Sequence, residues 1–234
     1  MNRALFFPEE ISADFSVDLP PTDRRAMHIR KVLRAKPGDS LQIGIIDQGI
    51  GTARIAAVSG DGVCLVDVLV SSPPEEPVPL VLLLGHPRPI VLRRIIKDAT
   101  SAGLVRIHVT GTDLGEKSYL ESALWSDASQ LQELLVLGAE QGGACRLPQL
   151  ERSWTLAQAL EKELVKSPMD KPGFESMIVL DADMNGGPSL LKLMRGLASD
   201  GPVLIAVGSE RGWSSAETEV FMSHGFQRAA LGDR

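Results

Sequence analysis

Two glycines four residues apart with polar residues between them can bring backbone amides against a ligand, and Gly208-Ser209-Glu210-Arg211-Gly212 has that form. Neither glycine carries a Cβ, so the backbone can approach closely, and Glu210 and Arg211 offer a carboxylate and a guanidinium to a polar substrate. The spacing is neither GxGxxG nor GxxxxGK(S/T), so a dinucleotide or P-loop reading has no support. A tight turn between a strand and a helix remains the plain alternative. Asp181 and Asp183 could hold a ribose or a magnesium ion, or could simply form an Asx-rich turn before Pro188. Glu140, Gln141 and Arg146 form a third polar group, equally consistent with an ordinary helix end.

Charge adds a fourth signal. The chain of 234 residues carries a net charge of −6, which on average disfavours a polyanionic partner. The local distribution differs. Thr22 to Lys36 holds six basic residues (Arg24, Arg25, Arg30, Lys31, Arg34, Lys36) against Asp23 alone. His86 to Arg106 holds five (Arg88, Arg93, Arg94, Lys97, Arg106) against Asp98. Each patch is either a solvated helix face or a surface for phosphates.

The elements that must position these residues fall into two groups. Before residue 73, strands are predicted at Arg3 to Phe7, Ser40 to Ile46, Thr52 to Val58 and Val63 to Val70, with glycine-rich turns between the last three. A helix is predicted from Thr22, as N-cap, to Leu33, and a small barrel protects the strand edges economically. Residues 1–72 thus read as one domain, 73–79 as a proline-rich linker, and 80–234 as a second domain. In the second domain, strands at Leu80 to Leu84, Val105 to Val109, Met177 to Leu180, Val203 to Val207 and Phe226 to Leu231 alternate with helices. These helices are Arg88 to Ala102, Asp127 to Ala139, Leu156 to Lys166, Pro188 to Leu197 and Ala216 to His224. Thr155-x-x-Gln158 and Ser214-x-x-Glu217 read as capping boxes, and Pro188 as a first-turn residue. Alternation of this kind predicts an α/β fold with a mostly parallel sheet covered on both faces.

Composition sets the remaining bounds. With 44% apolar residues, 23% charged residues and a mean hydropathy of +0.05, the chain has the balance of a globular protein rather than a disordered one. Its longest apolar run, Val78 to Leu84, is far short of the roughly 20 residues that span a bilayer. The start lacks the pattern of a signal peptide, which leads to an expectation of a cytoplasmic protein with no membrane partner. Cys64 and Cys145 match no metal-ligand spacing, so no metal is expected and both read as small buried hydrophobes.

Taken in order, the motifs resemble the RsmE family of ribosomal RNA uridine-N3 methyltransferases, SPOUT-class enzymes with a PUA-like N-terminal barrel. The resemblance runs over nearly the whole chain. His28-Ile29-Arg30-Lys31-Val32-Leu33-Arg34 with Pro37-Gly38-Asp39 is similar to the family's barrel motif, and Lys97 with Gly103-Leu104 to its helix-to-strand segment. Glu140-Gln141 with Arg146 and Pro148 resembles its EQ…R-x-P segment, Gly208 to Gly212 its GPEGG loop, and Leu231-Gly232-Asp233-Arg234 its LG-x-R. The chain departs from the pattern at Ser209, where the family has proline, at Arg211, where it has glycine, and at Ser101-Ala102, where it has a glutamate before Gly103.

The resemblance implies a parallel SPOUT-type sheet with a C-terminal trefoil knot, preceded by a PUA-like β-barrel. It implies S-adenosylmethionine as cofactor, N3 of a uridine in 16S ribosomal RNA of the small subunit as acceptor, and a homodimer. Leu83, Leu84, Gly85, Gly208, Ser209, Glu210, Gly212, Leu231 and Gly232 would hold the cofactor. Arg234 or Arg146 would stabilise the uracil anion, and Glu140 and Glu210 compete as proton acceptor. Arg24, Arg25, His28, Arg30, Lys31 and Arg34 would contact RNA. The family continues past the position of Arg234 with a segment that completes the knot, and the same is expected of this protein. The alternative is a non-catalytic RNA-binding or ribosome-assembly protein that retains the SPOUT fold.

Overall fold

The computed structural model describes residues 3–165, 173–181, 188–197 and 201–231, which divide into two compact units. The first comprises residues 3–76 together with 136–147. Its strands are β1 (Ala4–Phe6), β2 (Val17–Leu19), β3 (Ser40–Ile45), β4 (Gly49–Ser59) and β5 (Gly62–Ser72), in the order β1-β3-β4-β5-β2. Only the β1–β3 pair is parallel. Shifts of register along the long β4–β5 hairpin bend and twist it, so the sheet curls. Phe6, Ile43, Ile55 and Leu65 are buried inside it, and helix α1 (Arg24–His28) adds Ala26 and the following Ile29 to the same core.

The N-cap of α1 is Asp23, not Thr22: its carboxylate accepts from the Arg25 backbone amide at 2.7 Å. After α1 the chain continues as a π-helical turn, Ile29–Leu33, which ends where Arg34 takes a left-handed φ of 52°. Strand β2 has no counterpart in the sequence reading, because three residues are too short to show alternation. Residues 136–147 differ from the expected assignment of 80–234 to one domain. Val136, Ala139 and Cys145 bury their side chains with Leu5 and Ile46 of the first unit. Cys145 is buried as expected, whereas Cys64 is only half-buried.

The second unit is a parallel sheet of β6 (Val78–Gly85), β7 (Leu104–Thr110), β8 (Gln149–Ser153), β9 (Ser176–Leu180), β10 (Val203–Val207) and β11 (Gln227–Ala229). Its order is β11-β9-β10-β6-β7-β8. Helices α2 (Pro89–Ser101), α3 (Lys117–Leu120), α4 (Ala128–Gly142), α5 (Leu156–Val165), α6 (Leu190–Arg195) and α7 (Ser215–Ser223) connect them. Alternate residues of β6 face opposite layers: Val81 and Leu83 meet α5 and α7 through Leu160 and Phe221, while Leu84 meets α2 and α4 through Leu92, Ile96 and Leu134. The expected parallel sheet with two covered faces is therefore present.

Some local expectations change. The α6 cap is Ser189, whose hydroxyl accepts from Lys192, so Pro188 stands just outside the helix. At α5, Thr155 accepts from Gln158, but the Gln158 side chain reaches the Trp154 amide instead of the Thr155 amide, leaving half a capping box. The Ser214–Glu217 box at α7 is complete. Strand β11 is shorter than the predicted Phe226 to Leu231.

Edge strand β8 carries no apolar run, because its polar side chains serve a buried network. Arg106 donates to Glu163 at 2.8 Å and to Gln149, and the other Glu163 oxygen meets His108 Nδ1 at 2.6 Å. His108 Nε2 lies 2.8 Å from Ser153 Oγ. Arg106 thus belongs to the interior and not to a basic surface. Arg106→Met leaves the Glu163 carboxylate buried without its cation and is expected to cost about 3–5 kcal/mol in urea unfolding. A loss below about 1 kcal/mol would show that the network does not hold α5 to the sheet.

Candidate active site

The order of the strands fixes where a ligand can enter. From β6 the chain builds outward through β7 and β8, and it later returns to place β10 on the other side of β6. The connections leaving β6 and β10 run to opposite faces, α2 to one and α7 to the other. Beyond the carboxyl ends of two such strands a crevice opens, the usual ligand position in an open parallel sheet.

The crevice is framed by close backbone contacts. A Cβ on Gly85, the last residue of β6, would lie 2.7 Å from both the Ser209 amide nitrogen and Thr112 Cγ2. One on Gly208 would lie 2.7 Å from the Gly212 Cα. Ser209 to Gly212 forms a tight turn, with the Gly212 amide bonded to the Ser209 carbonyl at 2.9 Å and φ of +73° at Gly212. The glycines first let the turn close on itself and on β6. Two buried polar atoms of this loop, Ser209 Oγ and Trp213 Nε1, have no hydrogen-bond partner among the described residues. Orphans of this kind cost free energy unless a ligand or water meets them.

Glu210 caps the neighbouring loop by accepting from the Arg88 amide at 3.0 Å. Burial pushes its carboxyl up, but the Arg88 amide and guanidinium outweigh that and hold it below the usual range. His86, also in that loop, is buried with both ring nitrogens engaged. Nδ1 lies 2.6 Å from the Pro87 carbonyl and Nε2 is 2.8 Å from the Trp125 indole N–H. The indole can only donate, so Nε2 accepts and the proton sits on Nδ1. On the far side, Asp113 accepts from Ser214 Oγ at 2.7 Å while its amide donates to Glu217.

The residues singled out by sequence divide between the units. Gly85, Gly208, Ser209, Glu210 and Gly212 converge at the crevice. Leu83 and Leu84 do not line it with side chains; both are buried in the cores on either side of β6. Leu231 is exposed, while Gly232, Asp233, Arg234 and Asp183 lie outside the described residues. Asp181 pairs with Arg228. Glu140 and Arg146 belong to the first unit. There Glu140, 2% exposed, takes both Arg24 nitrogens at 2.5 and 3.0 Å, and Arg146 meets Glu76 at 3.3 Å.

The basic patch is correspondingly smaller than it looked. Arg24 is committed to Glu140, and Arg25 to Asp23, Glu10 and the Leu5 carbonyl, with its guanidinium over the Phe6 ring. Burial opposes the charge of Arg25, and the two carboxylates more than offset it, so its pKa is raised. His28 is half-buried, and burial lowers its pKa. Arg30, Lys31 and Arg34 make no ion pair among the described residues and stand beside exposed Val32 and Leu33. Sequence reasoning missed His86, Asp113 and Thr112, which meet at the crevice only through contacts distant in sequence. Among the described residues, no group of His, Cys, Asp and Glu could hold a metal ion, and no helix is long and apolar enough to cross a membrane.

Comparison with known proteins bears directly on this geometry. A family model described as an RNA methyltransferase domain matches residues 74–234, and one described as an RNA methyltransferase PUA domain matches residues 21–68. The chain belongs to the RNA methyltransferase family. Ribosomal RNA small subunit methyltransferase E of Treponema pallidum is 34% identical over 100% of this chain and 85% of its own length. The related enzyme E 1 of Borreliella burgdorferi is 26% identical over 91% of this chain and 84% of its length. Among solved structures, ribosomal RNA small subunit methyltransferase E of Neisseria gonorrhoeae, bound to S-adenosylmethionine, superposes with a TM-score of 0.72. It is 19% identical and covers 99% of this chain and 90% of that one. That likeness establishes the fold: a PUA-like curled sheet followed by a SPOUT-type parallel sheet.

The buried imidazole gives a pH signature. Burial lowers the His86 pKa from its ordinary 6.5, helped by the Arg152 charge and opposed by the Pro87 carbonyl. Because the folded value is the lower one, the contribution of neutral His86 to stability is full above pH 6.5. It declines below that and is lost once the pH passes the folded value. NMR titration of the ring is expected to give a pKa below 6.5, and a value at or above 6.5 contradicts the burial that depresses it.

Proposed function

We propose that this protein transfers the methyl group of S-adenosylmethionine to N3 of a uridine in 16S ribosomal RNA, acting in the cytoplasm as a homodimer. The observation that carries the reading is the 34% identity to the T. pallidum enzyme over the full chain. It is supported by the crevice between β6 and β10, where a glycine-packed turn bears unsatisfied buried polar atoms. Those orphan groups fit a polar cofactor. Gly85, Gly208, Ser209, Glu210 and Gly212, with Leu231 and Gly232, are the residues that would hold it. When bound, S-adenosylmethionine supplies an electrophilic methyl group on a sulfonium sulfur.

The chain's own part is to place the acceptor and handle its proton. N3 lies on the Watson–Crick edge, so the uridine must be unpaired to react. Attack requires alignment of the nitrogen and removal of the imide proton. Of the two carboxylates considered, Glu140 is engaged by Arg24, which leaves Glu210, exposed and ionised, as the proton acceptor. Of the two arginines considered, Arg146 is paired with Glu76 in the first unit, which leaves Arg234 to stabilise the uracil anion.

The test is to incubate the protein with S-adenosylmethionine and small-subunit ribosomal RNA and digest the product to nucleosides. N3-methyluridine is the expected new nucleoside; a different methylated nucleoside contradicts the N3 assignment, and cofactor binding without any transfer favours the non-catalytic alternative. The free part of the basic patch gives a second expectation. Arg30→Glu with Arg34→Glu should weaken RNA binding and flatten its salt dependence, by about 0.7–0.9 in the log–log slope per lost phosphate contact. An unchanged slope assigns the patch to solvent.

A further inference from the structure

Beside the crevice, beyond the carboxyl ends of β6, β7 and β8, lies a second concavity of about 720 Å³. Its size falls within the roughly 300–1,000 Å³ of small-ligand pockets. Thr112 belongs to both places: it lines this pocket, and its Cγ2 is one of the atoms packed against Gly85.

Three features of the wall describe an occupant. The chain has only ten aromatic residues besides histidine, six Phe, three Trp and one Tyr. One of them, Trp154, lines the pocket while 51% exposed. Its ring is backed by the Arg152 guanidinium at 5.0 Å, and Arg152 is itself held by the Leu120 carbonyl and by the Trp125 ring at 5.2 Å. An exposed, cation-backed indole is a stacking platform for a planar ring. Thr112 Oγ1, buried within this wall, has no hydrogen-bond partner among the described residues. Asp113, fixed by Ser214 and Glu217, presents a carboxylate to accept from N–H or amino donors. With Glu116, Glu121 and Glu217 also in the lining and Lys117 as its cation, the wall repels phosphate and suits an uncharged ring with donor edges.

We propose that this pocket receives a nucleobase of the RNA substrate, unstacked alongside the target uridine, with Trp154 as its stacking face. The proposal rests on the reading of the protein as an RNA methyltransferase acting on an unpaired uridine. Extruding that uridine breaks the stacking of its neighbours, and a second base held nearby would keep the strand splayed.

The experiment measures binding of small-subunit ribosomal RNA fragments and, separately, of S-adenosylmethionine, to the wild type and three variants. Trp154→Ala should weaken RNA binding by about 5- to 150-fold, the equivalent of the roughly 1–3 kcal/mol of one aromatic–base stack. Trp154→Phe should retain most of the affinity. Ala157→Trp, which fills the pocket from an exposed lining position without removing the platform, should weaken RNA binding as Trp154→Ala does. All three should bind S-adenosylmethionine as the wild type does. An abasic nucleotide next to the methylated uridine should weaken wild-type binding by a similar factor and have little further effect on Trp154→Ala. Undiminished RNA affinity in Trp154→Ala and Ala157→Trp overturns the pocket assignment while leaving the methyltransferase reading intact. Coupling of Trp154 to the target base alone likewise overturns the flanking-base assignment. A wild type that binds no RNA removes both readings together.

Discussion

Strands β6 and β10 end side by side, and the chain leaving each must turn away at once to reach opposite faces of the sheet. Only residues without a Cβ allow the close contacts there: Gly85 lets the end of β6 touch the Ser209 amide, and Gly208 lets the 208–212 turn close on Gly212. That contact holds the 208–212 turn in place, leaves Glu210 to cap the Arg88 loop, and brings Thr112 of the β7 loop against the same spot. The crevice, its unsatisfied polar atoms and the neighbouring pocket all follow from it. In the sequence these glycines read as a means of approach to a ligand. Their nearer purpose is to let the protein approach itself, and the crevice is what that packing frames.

The sheet was legible in the sequence because its strands are buried on both faces. Val203 to Val207 and Leu80 to Leu84 are continuous apolar runs between glycines and polar turns, and the structure places strands there. Complete caps such as Ser214–Glu217 were legible for the same reason, since the residues concerned are close in sequence. Strand β8 was not: Gln149 and Ser153 are polar because Arg106 and His108 need them, and that need appears only once β7 lies beside them.

The site was legible in part. The glycines mark the loop after β10, whereas the side chains of Leu83 and Leu84 turn away from the crevice, because alternation along a doubly covered strand buries the two neighbours in different cores. The basic patch shows the limit of counting charge. Arg24 finds Glu140 at a separation of 116 residues, a pairing that composition cannot reveal, and Arg25 is consumed by two nearby acids and an aromatic ring. What remains, Arg30, Lys31, Arg34 and Lys36, is a small basic group on an otherwise acidic chain. Trp154 was passed over because a single tryptophan reads as core until its exposure is known.

The central claim is that the turn packed on Gly85 holds the cofactor. Hydrogen exchange on the full chain, with and without S-adenosylmethionine, tests it without requiring turnover or RNA. The account predicts protection concentrated in peptides that carry Gly85 to Arg88 and Gly208 to Ser214. Saturating cofactor that protects other segments and leaves both of these unchanged would contradict it.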